Sequence, residues 1–180
     1  ASLFYHDQPE LAKEFYAYLR KAGIVNSAVY NNLAISALEC GEYEIVGPAI
    51  ASALSMADTP EEQSDVWYNI SHVAIQAAEL DFAVQCLHIA TSISSANGEA
   101  FNNLGLIELK RRNIQKAIGA FKSAIAANPE MYESWYNLAL VYERSGQLQE
   151  ARQAASTAVA ISPMRTEGQT LLQSIASKMQ

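Results

Sequence analysis

One phrase recurs along the chain at nearly constant spacing, and it limits the fold more than any other feature. Trp67-Tyr68-Asn69-Ile70, Phe101-Asn102-Asn103-Leu104 and Trp135-Tyr136-Asn137-Leu138 follow one another at intervals of 34 residues, and Tyr30-Asn31-Asn32-Leu33 precedes them by 37. Small and apolar residues follow in phase. Val46, Ala83, Ala117 and Ala151 stand 16 residues after the aromatic, and Ala53, Ala90, Ala124 and Ala158 stand 23 after it. Pro129 and Pro163 close the last two copies. A period of this length marks stacked supersecondary units, each too small to cover its own apolar face, so that neighbours stabilise one another.

The pattern resembles the tetratricopeptide repeat, a helix–turn–helix unit, over essentially the whole chain. The resemblance implies an all-α fold: a right-handed superhelix (an α-solenoid) of antiparallel helix pairs. Small residues fit that reading. Ala34, Ser71, Gly105 and Ala139 on the first helices pair with Val46, Ala83, Ala117 and Ala151 on the second, which lets the two helices approach closely. The aromatic at the start of the first helix fills the space this approach leaves open.

Local chemistry sets the boundaries. Thr59-Pro60-Glu61-Glu62 is a capping box with Pro at the first helical position, and it accounts for the longer 37-residue interval. Asp7-Gln8-Pro9-Glu10 is a similar start, Pro129 and Pro163 sit where helices can begin, and Gly23, Gly41 and Gly146 mark helix ends. The expected helices are 8–22, 27–40, 43–57, 60–79, 81–94, 98–111, 114–127, 131–145, 148–161 and 165–178, with a kink or late start at Pro48. They form one array over 1–180: a partial repeat (1–23), repeats at 27–59, 60–97, 98–131 and 132–164, and a capping helix at 165–180. With only Ala1 to His6 ahead of helix 8–22, the chain is expected to begin inside a repeat, and the last helix to be a natural end. The start Ala1-Ser2-Leu3 lacks an initiator Met and any secretory signature, as expected of a fragment or a processed chain.

Composition narrows the functions. Twelve basic against 19 acidic residues give a net charge of −7, which argues against nucleic acid or an anionic membrane as the principal partner. No apolar run reaches the ~20 residues of a membrane span. Cys40 and Cys86 form neither a disulfide framework nor a zinc ligand set and suit a reducing compartment. His88 lies two residues from Cys86 on a helix, so the two face different ways, and His6 stands apart. No HExxH, CxxC, P-loop or GxSxG phrase occurs. The expectation is a protein that is not an enzyme, with no cofactor, no metal and no small-molecule substrate.

Protein partners remain, and the first helices carry the candidate contacts. Asn32, Asn69, Asn103 and Asn137 recur at one position; each amide both donates and accepts, so a ladder of them can grip an extended peptide backbone. The other reading is that they bond neighbouring helices. His72 lies on the same expected concave surface. Acidic residues recur near the helix starts (Asp65, Glu99, Glu133, Glu167) and basic ones near the ends (Lys110, Arg144, Lys178), either as two edges of a groove or as compensation of the helix macrodipoles.

Three closer resemblances bear on function. Chaperone-binding members of the family clamp a terminal carboxylate with Lys and Arg at positions where this chain has acids and Asn, so that clamp is absent. The O-GlcNAc transferase superhelix is similar in its Asn ladder, but its catalytic part has no counterpart here. Phe4-Tyr5-His6-Asp7-Gln8-Pro9-Glu10, Phe15-Tyr16, Asp65-Val66-Trp67-Tyr68-Asn69 with His72, and Met131-Tyr132-Glu133 are similar to the tetratricopeptide-repeat subunit family of the BBSome. Helices 43–57 and 148–161 show only general repeat character. The BBSome resemblance implies a non-catalytic scaffold for ciliary trafficking of membrane proteins. Its partners would be other protein subunits, and it would be cytoplasmic, at the cilium or basal body, without inserting into membrane. The alternative is an adaptor that holds a peptide in its groove, as a cargo receptor or chaperone cofactor. The regulatory arm of an enzyme would need a catalytic domain absent from this sequence.

Overall fold

The computed structural model describes residues 9–179. Among them stand ten helices and no strand: α1 (Pro9–Lys21), α2 (Ser27–Glu39), α3 (Tyr43–Met56), α4 (Pro60–Gln76), α5 (Leu80–Ile93), α6 (Gly98–Lys110), α7 (Ile114–Ala127), α8 (Tyr132–Arg144), α9 (Leu148–Ile161) and α10 (Thr166–Lys178). The chain divides into two compact units, residues 1–94 and 95–180. In the first, α2 packs against α3 and α4 against α5; in the second, α6 packs against α7 and α8 against α9. Each pair is antiparallel because a short turn returns the chain at once. Every expected helix is present, with ends displaced by no more than three residues. The cap at Asp7 and the segment Ala1 to His6 lie outside the described residues.

Starts follow the capping chemistry, with two corrections. Thr59 Oγ1 accepts from the Glu62 amide at 3.2 Å, but Glu62 Oε2 reaches back to the Asp58 amide at 3.0 Å rather than to that of Thr59. Pro129 and Pro163 do not open helices. Their carbonyls close the preceding turns instead, accepting from Trp135 Nε1 at 2.9 Å and Gln169 Nε2 at 2.8 Å, while α8 and α10 begin three residues later. Pro48 delays nothing: α3 starts at Tyr43 and runs through it. As the sixth residue of α3, Pro48 forfeits the bond its amide would have given to the Glu44 carbonyl, and the helix continues past it.

One turn motif is used repeatedly, inside each repeat and also between α1 and α2. Gly23, Gly41 and Gly146 adopt φ of +75°, +77° and +74°, and the next amide bonds back into the helix, as Glu42 N–H does to the Ala37 carbonyl at 2.9 Å. This is the left-handed Schellman cap. Ala78 and Arg112 occupy the same place with φ of +62°, and neither is recognisable in the sequence because neither is glycine. Glu79 N–H still bonds to the Ala74 carbonyl at 2.8 Å, and Asn113 N–H to that of Glu108 at 2.9 Å. Hydrogen bonds and packing hold these two residues in a conformation that costs a side-chain-bearing residue roughly 1–2 kcal/mol. Ala78 is also why α4 stops at Gln76, short of its expected end.

The helix–helix contacts are built from small residues, as the spacing required. Ala34, Ala83, Ala117, Ala139 and Ala151 are fully buried, Val46 nearly so, and Ser71 and Gly105 are buried with them. The aromatics do not fill the centre: Tyr30, Trp67, Phe101 and Trp135 are only half-buried. The residue four after the small one on the second helix does so instead, with Leu87, Phe121 and Ala155 all at 0 % exposure. In the second unit, Phe121 sits in a cluster with Ala117, Leu138, Ala139, Val141, Tyr142, Ala151, Leu171 and Ile175.

Gly105 is where this packing is tightest. A Cβ there would lie 2.6 Å from Phe121 Cε1, inside van der Waals contact, so the constraint is the Phe121 ring rather than Ala117. Gly105→Ala is expected to cost ~1–3 kcal/mol by overpacking, and Phe121→Leu in that background should recover part of it; thermal unfolding of both variants is the measurement. Ala78→Gly is expected to act oppositely, raising stability by ~0.5–1 kcal/mol once the greater freedom of glycine in the unfolded chain is counted. A lower melting temperature for Ala78→Gly would contradict the strain assigned to this turn.

Candidate protein-binding surface

The expected contact residues all lie on first helices: Asn32 on α2, Asn69 and His72 on α4, Asn103 and Lys110 on α6, Asn137 and Arg144 on α8, and Lys178 on the unpaired α10. The first three belong to the first unit and the others to the second. In the second unit α6, α8 and α10 lie side by side. Asn103 with Lys110, and Asn137 with Arg144, are seven residues apart, two helical turns along one face.

The four amides are not equivalent. Asn32 is exposed, whereas Asn69, Asn103 and Asn137 are half-buried. Asn137 Nδ2 donates to Asn102 Oδ1 at 3.1 Å, and Ser134 Oγ donates to the same oxygen at 3.3 Å. These bonds tie α8 to α6, so one side of the Asn137 amide serves the stack. Asn102, the residue before the ladder position Asn103, thus joins the two helices, and its place outside the repeated ladder position kept it from view in the sequence. Asn31, the counterpart of Asn102 in the first repeat, is also buried, at 7 % exposure, but its Oδ1 has no partner. Val66 stands there where Ser134 stands in the second unit, and a valine has no hydroxyl to give.

His72 is half-buried on α4, its ring edge-on to Tyr68 at 4.8 Å between centroids. Lys110, Arg144 and Lys178 are exposed. Lys178 Nζ lies 2.9 Å from Glu143 Oε1, which also accepts from Ser174 Oγ at 2.9 Å. Lys178 is thereby committed to holding α10 on α8, and the Glu143 carboxyl is held below its ordinary value by Lys178, against the opposing effect of burial. On the acidic side Glu133 pairs with Arg165 at 2.6 Å, and that guanidinium lies 4.4 Å above the Tyr132 ring. Both contacts clasp the start of α10. The charge columns thus do two jobs: their terminal members lock the last helix, while Lys110 and Arg144 remain presented to solvent.

Cys86 is fully buried and burial pushes its thiol up, away from the reactive thiolate. Among the described residues no three of His, Cys, Asp and Glu are grouped so as to hold a metal ion, and no helix is long and apolar enough to cross a membrane. The surface offers amides, exposed cations and aromatic rings on rigid helices, which is the chemistry of polypeptide recognition.

Fold and surface define a helical-repeat module for protein–protein interaction. A tetratricopeptide repeat model matches residues 102–164. It is similar to human tetratricopeptide repeat protein 8, 36% identical over 80 residues covering 44% of this chain and 15% of that protein. The protein of the same name from Caenorhabditis elegans is 27% identical over 120 residues, covering 67% of this chain and 24% of the relative. The chain therefore spans less than a quarter of the length of these relatives. Among solved structures, the Cut9–Hcn1 hetero-tetramer of the APC/C superposes with a TM-score of 0.69 at 18% identity, over 88% of this chain and 32% of that one, a likeness of fold.

The Glu143 pair gives a signed prediction. A carboxylate whose folded value is depressed contributes stability above its unfolded value, near 4.5, and that contribution fades as pH falls through the folded value. Lys178→Met should destabilise the fold at pH 7, by no more than ~1 kcal/mol for so exposed a lysine, read as a lower melting temperature. The difference from the unsubstituted chain should shrink steadily below about pH 4.5. A difference independent of pH would mean that Lys178 acts through packing alone.

Proposed function

We propose that this chain is part of a subunit of the BBSome, serving there as a non-catalytic scaffold in the ciliary trafficking of membrane proteins. The supporting observation is its similarity to tetratricopeptide repeat protein 8 of two distant animals. In this reading residues 27–59, 60–97, 98–131 and 132–164 are consecutive repeats following a partial one, and 165–180 caps the array. Its partners are other protein subunits, not nucleic acid, membrane interior or small molecules, and it acts in the cytoplasm at the cilium or basal body. The decisive experiment is co-purification of the tagged chain from ciliated cells. Recovery of other BBSome subunits is expected, and recovery of partners that include none of them overturns the assignment.

A second reading, an adaptor holding an extended peptide along the first helices, is favoured by Asn103, Asn137, Lys110 and Arg144 sharing one side of α6 and α8. Replacing Asn103 and Asn137 by Ala together should weaken binding of the co-purified partner roughly three- to tenfold, the loss of one or two backbone hydrogen bonds. Unchanged affinity in a folded variant would leave these amides a structural role, of the kind already visible in the Asn137–Asn102 bond.

A further inference from the structure

Five prolines punctuate the chain, and two of them follow a hydroxyl residue: Thr59-Pro60 and Ser162-Pro163. The two hydroxyls have different surroundings. Thr59 Oγ1 is occupied as the cap of α4, accepting from the Glu62 amide at 3.2 Å, and that residue three places on is an acid. Ser162 stands at the end of α9 and bonds through its backbone: its amide donates to the Ala158 carbonyl at 3.0 Å, and its carbonyl accepts from the Arg165 amide at 3.2 Å. Its hydroxyl has no partner among the described residues, and the residue three places on is a cation. The equivalent turn one repeat earlier, Asn128-Pro129-Glu130-Met131, closes with the same 3.2 Å bond between its ends. There the first side chain is engaged, Asn128 Oδ1 accepting from the Glu130 amide at 3.1 Å.

The bond from Arg165 to Ser162 makes residues 162–165 a β-turn, whose first and fourth Cα atoms lie within about 7 Å of each other. Ser162 is half-buried, and Pro163, Met164 and Arg165 are exposed, Met164 at 92 %. A serine followed by proline, with a cation three residues on, is the local pattern that proline-directed protein kinases accept. The cation already has an occupation. Arg165 Nη1 lies 2.6 Å from Glu133 Oε1, and its guanidinium lies over the Tyr132 ring. One short turn thus holds a free hydroxyl at one end and, at the other, the residue that ties the start of α10 to α8.

We propose that Ser162 is phosphorylated by a proline-directed protein kinase and that its phosphate takes Arg165 from Glu133. In the reaction Ser162 Oγ forms a bond to the γ-phosphorus of a nucleoside triphosphate as the bridging β–γ P–O bond breaks. The nucleoside diphosphate leaves with the bonding pair, and the hydroxyl proton goes to the kinase's base. The phosphate carries about two negative charges against one on Glu133, and its oxygens suit the planar guanidinium. Repulsion from the last carbonyls of α9 turns it toward the start of α10, where Arg165 stands. The ion pair between α8 and α10 is then exchanged for one inside the turn.

The test treats the full chain with a purified cyclin-dependent kinase and ATP and maps the product by mass spectrometry. Phosphate is expected at Ser162 ahead of Thr59, and is expected to be lost from Ser162 in Pro163→Ala, a variant that keeps the carbonyl bonded to Gln169. No phosphate at Ser162, or Thr59 modified first, overturns the site. Capture of Arg165 is read by phosphorus NMR. The second proton of the phosphate, ordinarily lost near pH ~6, should dissociate about threefold more readily in the otherwise unsubstituted chain than in phosphorylated Arg165→Gln. Glu133→Gln should lower the melting temperature of the unmodified chain, and that of the phosphorylated chain by less than half as much. Equal phosphate titrations with and without Arg165, or an undiminished effect of Glu133→Gln after phosphorylation, overturn the exchange.

Discussion

The close approach of two helices within each repeat is the constraint on which the rest of this structure depends. Side chains no larger than valine at the contact (Ala34 with Val46, Ser71 with Ala83, Gly105 with Ala117, Ala139 with Ala151) bring the backbones together. The depth of the contact then leaves a space that Leu87 or Phe121 fills from the second helix. Since a single pair buries only one side of each helix, its outer faces become the seat of the next pair. Gly105 beneath Phe121 shows how little slack remains, for the addition of one methyl would place two carbons 2.6 Å apart.

With the interior this uniform, individuality is confined to turns, polar bonds between neighbouring first helices, and charge. The turns tolerate a side-chain-bearing residue in the left-handed region at Ala78 and Arg112 because the flanking hydrogen bonds are the same as at the glycines. Between first helices, Asn102 gathers Asn137 and Ser134, whereas Asn31, with Val66 at the position equivalent to Ser134, is left with a buried acceptor and no donor. A duplicated unit can thus lose one partner of a bond and retain the other.

Charge divides the chain more sharply than the fold does. The first unit is strongly acidic, and in the second the basic residues exceed the acidic ones. There, part of the charge holds α10, through Lys178 on Glu143 and Arg165 between Glu133 and the Tyr132 ring. This is why columns that look like macrodipole compensation in the sequence also act as clasps.

The sequence by itself determined the helix pairs, their order and their small-residue contacts, because period, glycine turns and the cap at Thr59 are local signals that the stack does not override. It did not determine that Pro129 and Pro163 would close turns ahead of α8 and α10, that Ala78 would end α4 early, or that Phe121 rather than the repeated aromatic would fill the centre. Nor did it separate Asn137, bonded to the adjacent helix, from exposed Asn32. Those outcomes depend on which residue of the neighbouring helix lies within three ångströms, and spacing along one chain does not contain that distance. Tertiary structure decided them by bringing together side chains some thirty-five residues apart, as in the bond between Asn102 and Asn137.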